Sequence, residues 1–257
     1  MAINRVAKIH KGQAHQFKSR SADLAYLSER GLEISPTHIV LEEYFRQRPA
    51  LNAAIADATS HKDFEVLGTN MTTALCTLSA TGGITLTTAG ADADSSILLP
   101  HLDAGQSSWA TTQWNTGKSI RFEKWIKTGA NITAVTIWAG LKLTNTPVIA
   151  TDDDSIFFRY QDTQNSGKWQ FNTSRAGTDT TSNLSLAVAV STLYRLVIEV
   201  SSDRTVRAFI NNNEMFSAPL AAVTDNINLI PYSGILAGAA AAKAYDVKYL
   251  RMSRLAA

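Results

Sequence analysis

Leu193-Tyr-Arg-Leu-Val-Ile-Glu-Val-Ser-Ser-Asp-Arg-Thr-Val-Arg-Ala-Phe-Ile-Asn-Asn-Asn-Glu-Met-Phe216 decides the fold. Tyr194, Leu196, Ile198 and Val200 alternate with Arg195, Glu199 and Ser201, the period of two of a half-buried strand. Ser201-Ser-Asp-Arg204 supplies a turn, after which Val206, Ala208 and Ile210 resume the alternation against Thr205, Arg207 and Asn211. Asn211-Asn-Asn213 turns the chain again, because Asn tolerates the positive φ that tight hairpins require. The stretch therefore predicts strand, turn, strand, turn and the start of a third strand.

Working outward, the same grammar repeats. Phe64–Leu67, Leu75–Leu78, Ile84–Thr88 and Ile97–Leu99 read as short strands separated by Gly82-Gly83, Gly90 and Asp92–Asp94. Trp109–Trp114, Ile120–Ile126, Ala134–Leu143, Ile156–Tyr160 and Lys168–Thr173 precede the hairpin; Ile227–Ile230, Gly234–Gly238 and Tyr245–Met252 follow it. Many short strands with polar turns predict a mostly β protein, a two-sheet sandwich.

Before residue 60 the expectation differs. Ser21 with Leu24, Leu27 and Gly31 has the marks of a short helix. Ser35-Pro36 places a capping hydroxyl before a Pro at a first helical position, and Ile39, Val40, Tyr44 and Phe45 follow as an apolar stripe. Ala50–Ala58 reads as an Ala-rich third piece after Pro49. Residues 1–60 are thus expected to be a small α-helical arm and residues 61–257 the sandwich. Arg5, Lys8, Lys11, Lys18 and Arg20 make the first twenty residues +5, leaving nineteen basic against 22 acidic side chains in the rest. Such a basic stretch either docks on an acidic surface or is simply a solvated terminus. Two helices about a Gly turn also raise a helix-turn-helix reading, weakened by Glu42 and Glu43, which would repel phosphates.

One cysteine, Cys76, permits no internal disulfide and, between Leu75 and Leu78, reads as a small core residue. Met1–Lys8 lacks an apolar run of signal-peptide length, and Ala187–Val190 and Ile235–Ala242 fall short of the roughly 20 residues of a membrane span. A soluble protein made in a reducing compartment, with no membrane partner, is expected.

Gly83-Ile-Thr-Leu-Thr87 followed by Ser96-Ile-Leu-Leu-Pro100, the strand Ser119–Lys127, the hairpin and the closing Tyr245-Asp-Val-Lys-Tyr-Leu-Arg251 resemble the concanavalin A-like (laminin-G-like) jelly roll over residues 64–254. That family includes lectins, glycoside hydrolases and virion proteins of tailed bacteriophages. Hydrolase members carry Glu-x-Asp-x-Glu on one strand; here Glu123 and Glu199 each stand without a carboxylate two residues away. The five histidines show no ligand spacing, and no cofactor motif occurs. Asp152-Asp153-Asp154 reads first as a water-exposed acidic turn and, more weakly, as a Ca²⁺ site.

Two tryptophans fall on polar strand faces. Trp138 lies opposite Val135, Ile137, Ala139, Leu141 and Leu143, and Trp125 opposite Ile120, Phe122 and Ile126. Each is a candidate for a partner surface or a sugar platform, unless loops cover it. With the basic arm, these features resemble the phage structural members: a non-enzymatic capsid decoration or cement protein of the virion. The expected partners are the major capsid protein or other virion subunits and further copies of itself, with Arg5, Lys8, Lys11, Lys18, Arg20, Tyr44, Phe45, Trp125 and Trp138 as interface candidates. A head- or tail-fibre adhesin binding host glycan is the alternative, and a DNA-binding regulator the weaker one.

Overall fold

Each half of the deciding hairpin becomes a strand in a computed structural model that describes residues 32–34, 38–51, 61–100, 114–143, 152–218 and 220–256. β14 (Leu193–Val200) turns into β15 (Val206–Ile210) and β16 (Asn213–Ser217), with Leu196 opposite Ile210 and Val200 opposite Val206. Asn211 and Asn212 take φ of 51° and 69°, the left-handed conformations that the Asn triplet anticipates.

Two layers hold the strands. The first sheet runs β1 (Leu32–Ile34), β2 (His38–Glu43), β18 (Ala244–Leu255), β9 (Ile120–Thr128), β14, β15, β16, with β5 (Cys76–Leu78) and β6 (Ile84–Thr87) attached beside β18. The second runs β13 (Thr178–Ala187), β12 (Lys168–Arg175), β11 (Ser155–Gln161), β10 (Val135–Lys142), β17 (Asn228–Ala237), β7 (Ser95–Pro100), β4 (His61–Leu67), β3 (Pro49–Leu51), with β8 (Trp114–Asn115) on β17. The pairings are antiparallel except β3 with β4. This is the predicted two-sheet jelly-roll sandwich.

The core lies between the inward faces. Ile120, Phe122 and Ile126 of β9 and Tyr194, Leu196 and Ile198 of β14 meet Val135, Ile137, Ala139 and Leu141 of β10 and Phe158 of β11. Trp169 stands edge-on to Tyr194 at 5.4 Å, and Phe171 packs on Phe216 at 4.7 Å, so aromatic pairs bridge the two sheets. Cys76 is buried here, and burial pushes its thiol up to about 12, the state of a packing residue. Parity also turns Lys124 of β9 inward, where it is 1% exposed. Its ammonium donates to Ser233 Oγ, which also receives the Tyr245 hydroxyl at 3.3 Å. Burial lowers the Lys124 pKa to about 7.

The helical arm requires correction. Residues 38–43 form β2, not a helix: Ile39 and Leu41 are buried, Val40 and Glu42 half-buried, an alternation of two rather than 3.6. The strand is held on both sides, Leu41 facing Met252 of β18 and Leu32 of β1. Pairing with a long central strand outweighs the local helix signals, and the β-branched Ile39 and Val40 suit a pleated sheet. Residues 49–51 likewise form β3. Residues 38–51 therefore belong to the sandwich, and the boundary expected near residue 60 does not separate them from it. The helix-turn-helix reading loses its second helix with them. The candidate helix Ser21–Gly31, the Ser35-Pro36 cap, residues 52–60 and the basic Arg5, Lys8, Lys11, Lys18 and Arg20 lie outside the described residues.

Candidate interaction groove

Strand parity on β9 turns Arg121, Glu123, Trp125 and Lys127 away from the core. Beside them β14 presents Leu193 and Arg195, with Arg195 directly opposite Trp125. On the other side comes β18, and there the register shifts between Val247 and Tyr249. Val247 and Leu250 both remain in the core, so Lys248 and Tyr249 are together left for the outer side. A bulge of this kind re-aims a side chain. It places Tyr249 opposite Trp125 and Arg251 opposite Glu123.

The result is a row of three rings on the outer face of the first sheet. Trp125 meets Tyr249 at 5.3 Å and 56°, and Tyr249 meets Tyr44 at 5.0 Å and 54°. Trp125 is 38% and Tyr44 49% exposed, while Tyr249 is nearly covered and donates its hydroxyl to Glu42 Oε1. A groove of about 980 Å³ runs along the row, walled by Arg46, Leu193 and the 78–83 segment. Gly83 brings that segment against β18: at φ +75°, a Cβ there would stand 2.1 Å from the Val247 carbonyl oxygen.

Glu123 is the electrostatic centre of the face. Arg195 donates Nε to Oε1 at 2.6 Å and Nη2 to Oε2 at 2.9 Å; Arg121 donates to Oε2 and the Trp125 indole N–H to Oε1, each at 2.8 Å. Burial would raise its pKa, but the hydrogen bonds from Arg195, Trp125 and Arg121 prevail and hold it at about 2. Such a group stays ionised at neutral pH and cannot serve as a proton donor there. Glu199, the other carboxylate of interest, is engaged by Arg121 at 3.3 Å and lies 4.0 Å from Arg207. Lys248 donates to Asp246 Oδ2 at 2.7 Å and to Ser79 Oγ, Thr81 Oγ1 and the Gly82 carbonyl. Arg46 lies over the Tyr44 ring at 5.8 Å.

The structure thus brings Tyr44 and Trp125 together and separates the other aromatic candidates from them. Phe45 is fully buried against Phe64 at 5.3 Å. Trp138 does face away from the main core, but from the second sheet, where it is 1% exposed inside a separate cluster with Ile97, Leu99, Phe157 and Tyr232. Its indole lies so close over Gly234 that a Cβ there would be 2.4 Å from Trp138 Cζ2. The Asp152–Asp154 triplet is divided among three tasks. Asp152 pairs with the buried Lys142 at 3.3 Å, Asp154 accepts the Thr224 N–H at 2.8 Å, and the Asp153 carbonyl accepts the Gly177 N–H at 2.8 Å. Among the described residues no three His, Cys, Asp or Glu side chains gather as a metal-ligand set.

Tyr249, Arg195, Arg251 and Lys127 escape the sequence reading of the site. Arg195 and Lys127 carry a signal, since alternation puts both on outer faces. Tyr249 and Arg251 carry a misleading one: unbroken alternation from the core residue Val247 would turn both inward, and the bulge is invisible in the residue types.

The fold is shared with solved structures of low identity. A protein of unknown function, SO2946 from Shewanella oneidensis MR-1, is 12% identical with a TM-score of 0.60, covering 92% of this chain and 95% of that one. A Bacillus licheniformis β-glucanase is 10% identical with a TM-score of 0.55, over 83% and 97%. The carbohydrate recognition domain of Emp46p in its potassium-bound form is 8% identical with a TM-score of 0.52, over 74% and 88%. These establish the concanavalin A-like jelly-roll fold. A family model described as SO2946-like, C-terminal domain, matches residues 102–224. No curated protein matches the sequence.

Proposed function

We propose that this chain is a non-enzymatic structural protein of a tailed-bacteriophage virion, a decoration or cement subunit that holds neighbouring subunits through the groove on its first sheet. One observation carries the docking part: the Trp125–Tyr249–Tyr44 row, exposed at its two ends, lies beside a carboxylate already saturated by two arginines and an indole. Trp, Tyr and Arg are the residue types in which binding energy concentrates at protein interfaces. A carboxylate locked to two guanidiniums orients those guanidiniums and is poorly suited to proton transfer. The virion setting rests on the sequence resemblance, with its basic N-terminal stretch.

Particles purified from producing cells should contain the chain at a repeated position, visible by imaging. Trp125→Ala should strip it from them while leaving the isolated protein folded. Absence of the chain from particles, or full retention of the variant, would refute the proposal.

A second reading is favoured by the aromatic row itself, which could stack on sugar rings, and by a fold shared with a β-glucanase and a carbohydrate recognition domain. It makes the protein a host-glycan adhesin of the head or tail fibre. Under that reading particle association survives Trp125→Ala and cell binding fails.

A further inference from the structure

We infer that the occupant of the groove is an acidic segment of a partner protein that also carries apolar side chains. The inference rests on the docking reading and adds the chemistry of the partner. Five of the lining residues are cationic, Arg46, Lys127, Arg195, Lys248 and Arg251, against the single carboxylate of Glu123. Arg195 is spent on Glu123 and Lys248 on Asp246. Arg46, Lys127 and Arg251 have no carboxylate within salt-bridge distance among the described residues. Glu42 and Glu123 flank Arg251 and Asp246 stands across from Lys127, so three carboxylates face five cations and the concave surface keeps a net positive charge that draws negative charge.

The floor and rim decide what kind of anion fits. Leu78 is 57% and Leu193 47% exposed at the edges of the groove, beside the half-exposed Trp125. Aliphatic groups offer nothing to a sugar hydroxyl and gain by covering a leucine or aromatic side chain. A second copy of this chain does not fit face to face, because Arg46, Lys127 and Arg251 of each copy would oppose one another across a groove of net positive charge. The basic stretch with Arg5, Lys8, Lys11, Lys18 and Arg20 is likewise of the wrong sign. An acidic peptide with interspersed apolar residues satisfies both the charge and the floor.

The test is selection of short random displayed peptides on the immobilised full-length protein, with Trp125→Ala and Arg251→Glu proteins as controls whose folding is checked by denaturation. Expected are enriched peptides rich in Asp and Glu with leucine or aromatic residues. Their binding, followed by fluorescence anisotropy of a dye-labelled peptide, should weaken about tenfold or more in either variant and at high salt. Polygalacturonate, an anionic sugar chain, is the competing probe and should neither bind nor displace the peptide. Enrichment of neutral or basic peptides, binding to both variants as tight as to the wild type, or competitive binding of polygalacturonate would each overturn the inference. Loss of particle association in Trp125→Ala without acidic enrichment would leave the docking reading standing and sink this one; acidic enrichment with association unchanged would do the reverse.

Discussion

Among the described residues the outer faces of the two sheets carry one tryptophan each that points away from the main core, yet they have opposite fates. On the first sheet Trp125 stays 38% exposed among charged side chains, its indole N–H held by Glu123. On the second, Trp138 is buried with Ile97, Leu99, Phe157 and Tyr232, and Lys142 on the same strand face is buried too, paired with Asp152. The first face is organised by ions around a carboxylate, the second by apolar packing with one sealed ion pair. Parity tells which side of a sheet a residue takes; it does not tell whether that side meets water.

If the contrast is real, removing the two indoles should have very different costs. Trp138→Ala should destabilise the fold by roughly 3–5 kcal/mol, the usual penalty for emptying a buried aromatic site. Trp125→Ala should cost at most about 1 kcal/mol. Both are read from chemical denaturation midpoints. Gly234→Ala sharpens the point, because its new Cβ would collide with the Trp138 ring. It should cost about 1–3 kcal/mol in the wild type and clearly less in the Trp138→Ala background. Equal costs for the two tryptophans would break the comparison.

Legibility in the sequence divides along the same line. The sandwich was readable because Tyr194 to Val200 and Val206 to Ile210 alternate cleanly. β13, Thr178-Asp-Thr-Thr-Ser-Asn-Leu-Ser-Leu-Ala187, was missed because it is an edge strand with most residues exposed, so no apolar alternation marks it. β17 was split in two because Pro231 and Gly234 look like breakers. Pro231 is accommodated in the gap between the pairing of residues 228–229 with β8 and of residues 233–236 with β7. Of the groove, Trp125 and Tyr44 were named, while the β18 bulge that delivers Tyr249 depends on pairing partners far away in the chain. Lys124, too, is a polar residue that strand parity alone assigns to the core.

The sealed ion pair gives the second test. Lys142 and Asp152 side chains are each 2% exposed, so Asp152→Asn would take away the carboxylate that pairs with a buried ammonium. Burial already lowers the Lys142 pKa and Asp152 opposes that effect, so removing the carboxylate lets desolvation act unopposed. The expected loss is about 3 kcal/mol, with only a weak salt dependence because both side chains are almost wholly covered. Replacing both partners together, with Lys142→Met and Asp152→Leu, should recover most of the loss. A strong salt dependence would show the pair to be open to solvent, and the two faces less different than described.

Glu123→Gln is expected to cost less than the loss of the sealed pair, and it is the effect tied to pH. The folded Glu123 pKa, about 2, lies below its ordinary value of 4.5. A carboxylate with a depressed folded pKa contributes stability that is fully present above its unfolded pKa and lost as pH falls towards the folded one. The shift alone would correspond to roughly 3 kcal/mol at 1.36 kcal/mol per unit. Arg121 and Arg195 are each one-third exposed, so water compensates them when the carboxylate goes, and a net cost of about 1–2 kcal/mol is expected. Denaturation midpoints of wild type and variant should therefore differ most above pH 4.5, converge as pH falls to about 2, and lie closer together in high salt. The Trp125 indole keeps an acceptor in the Gln oxygen, so its exposure should be unchanged, as read by quenching of its fluorescence. A difference that stays constant across this pH range would mean that Glu123 holds the face by shape rather than by charge. The outer face of the first sheet would then be organised like that of the second.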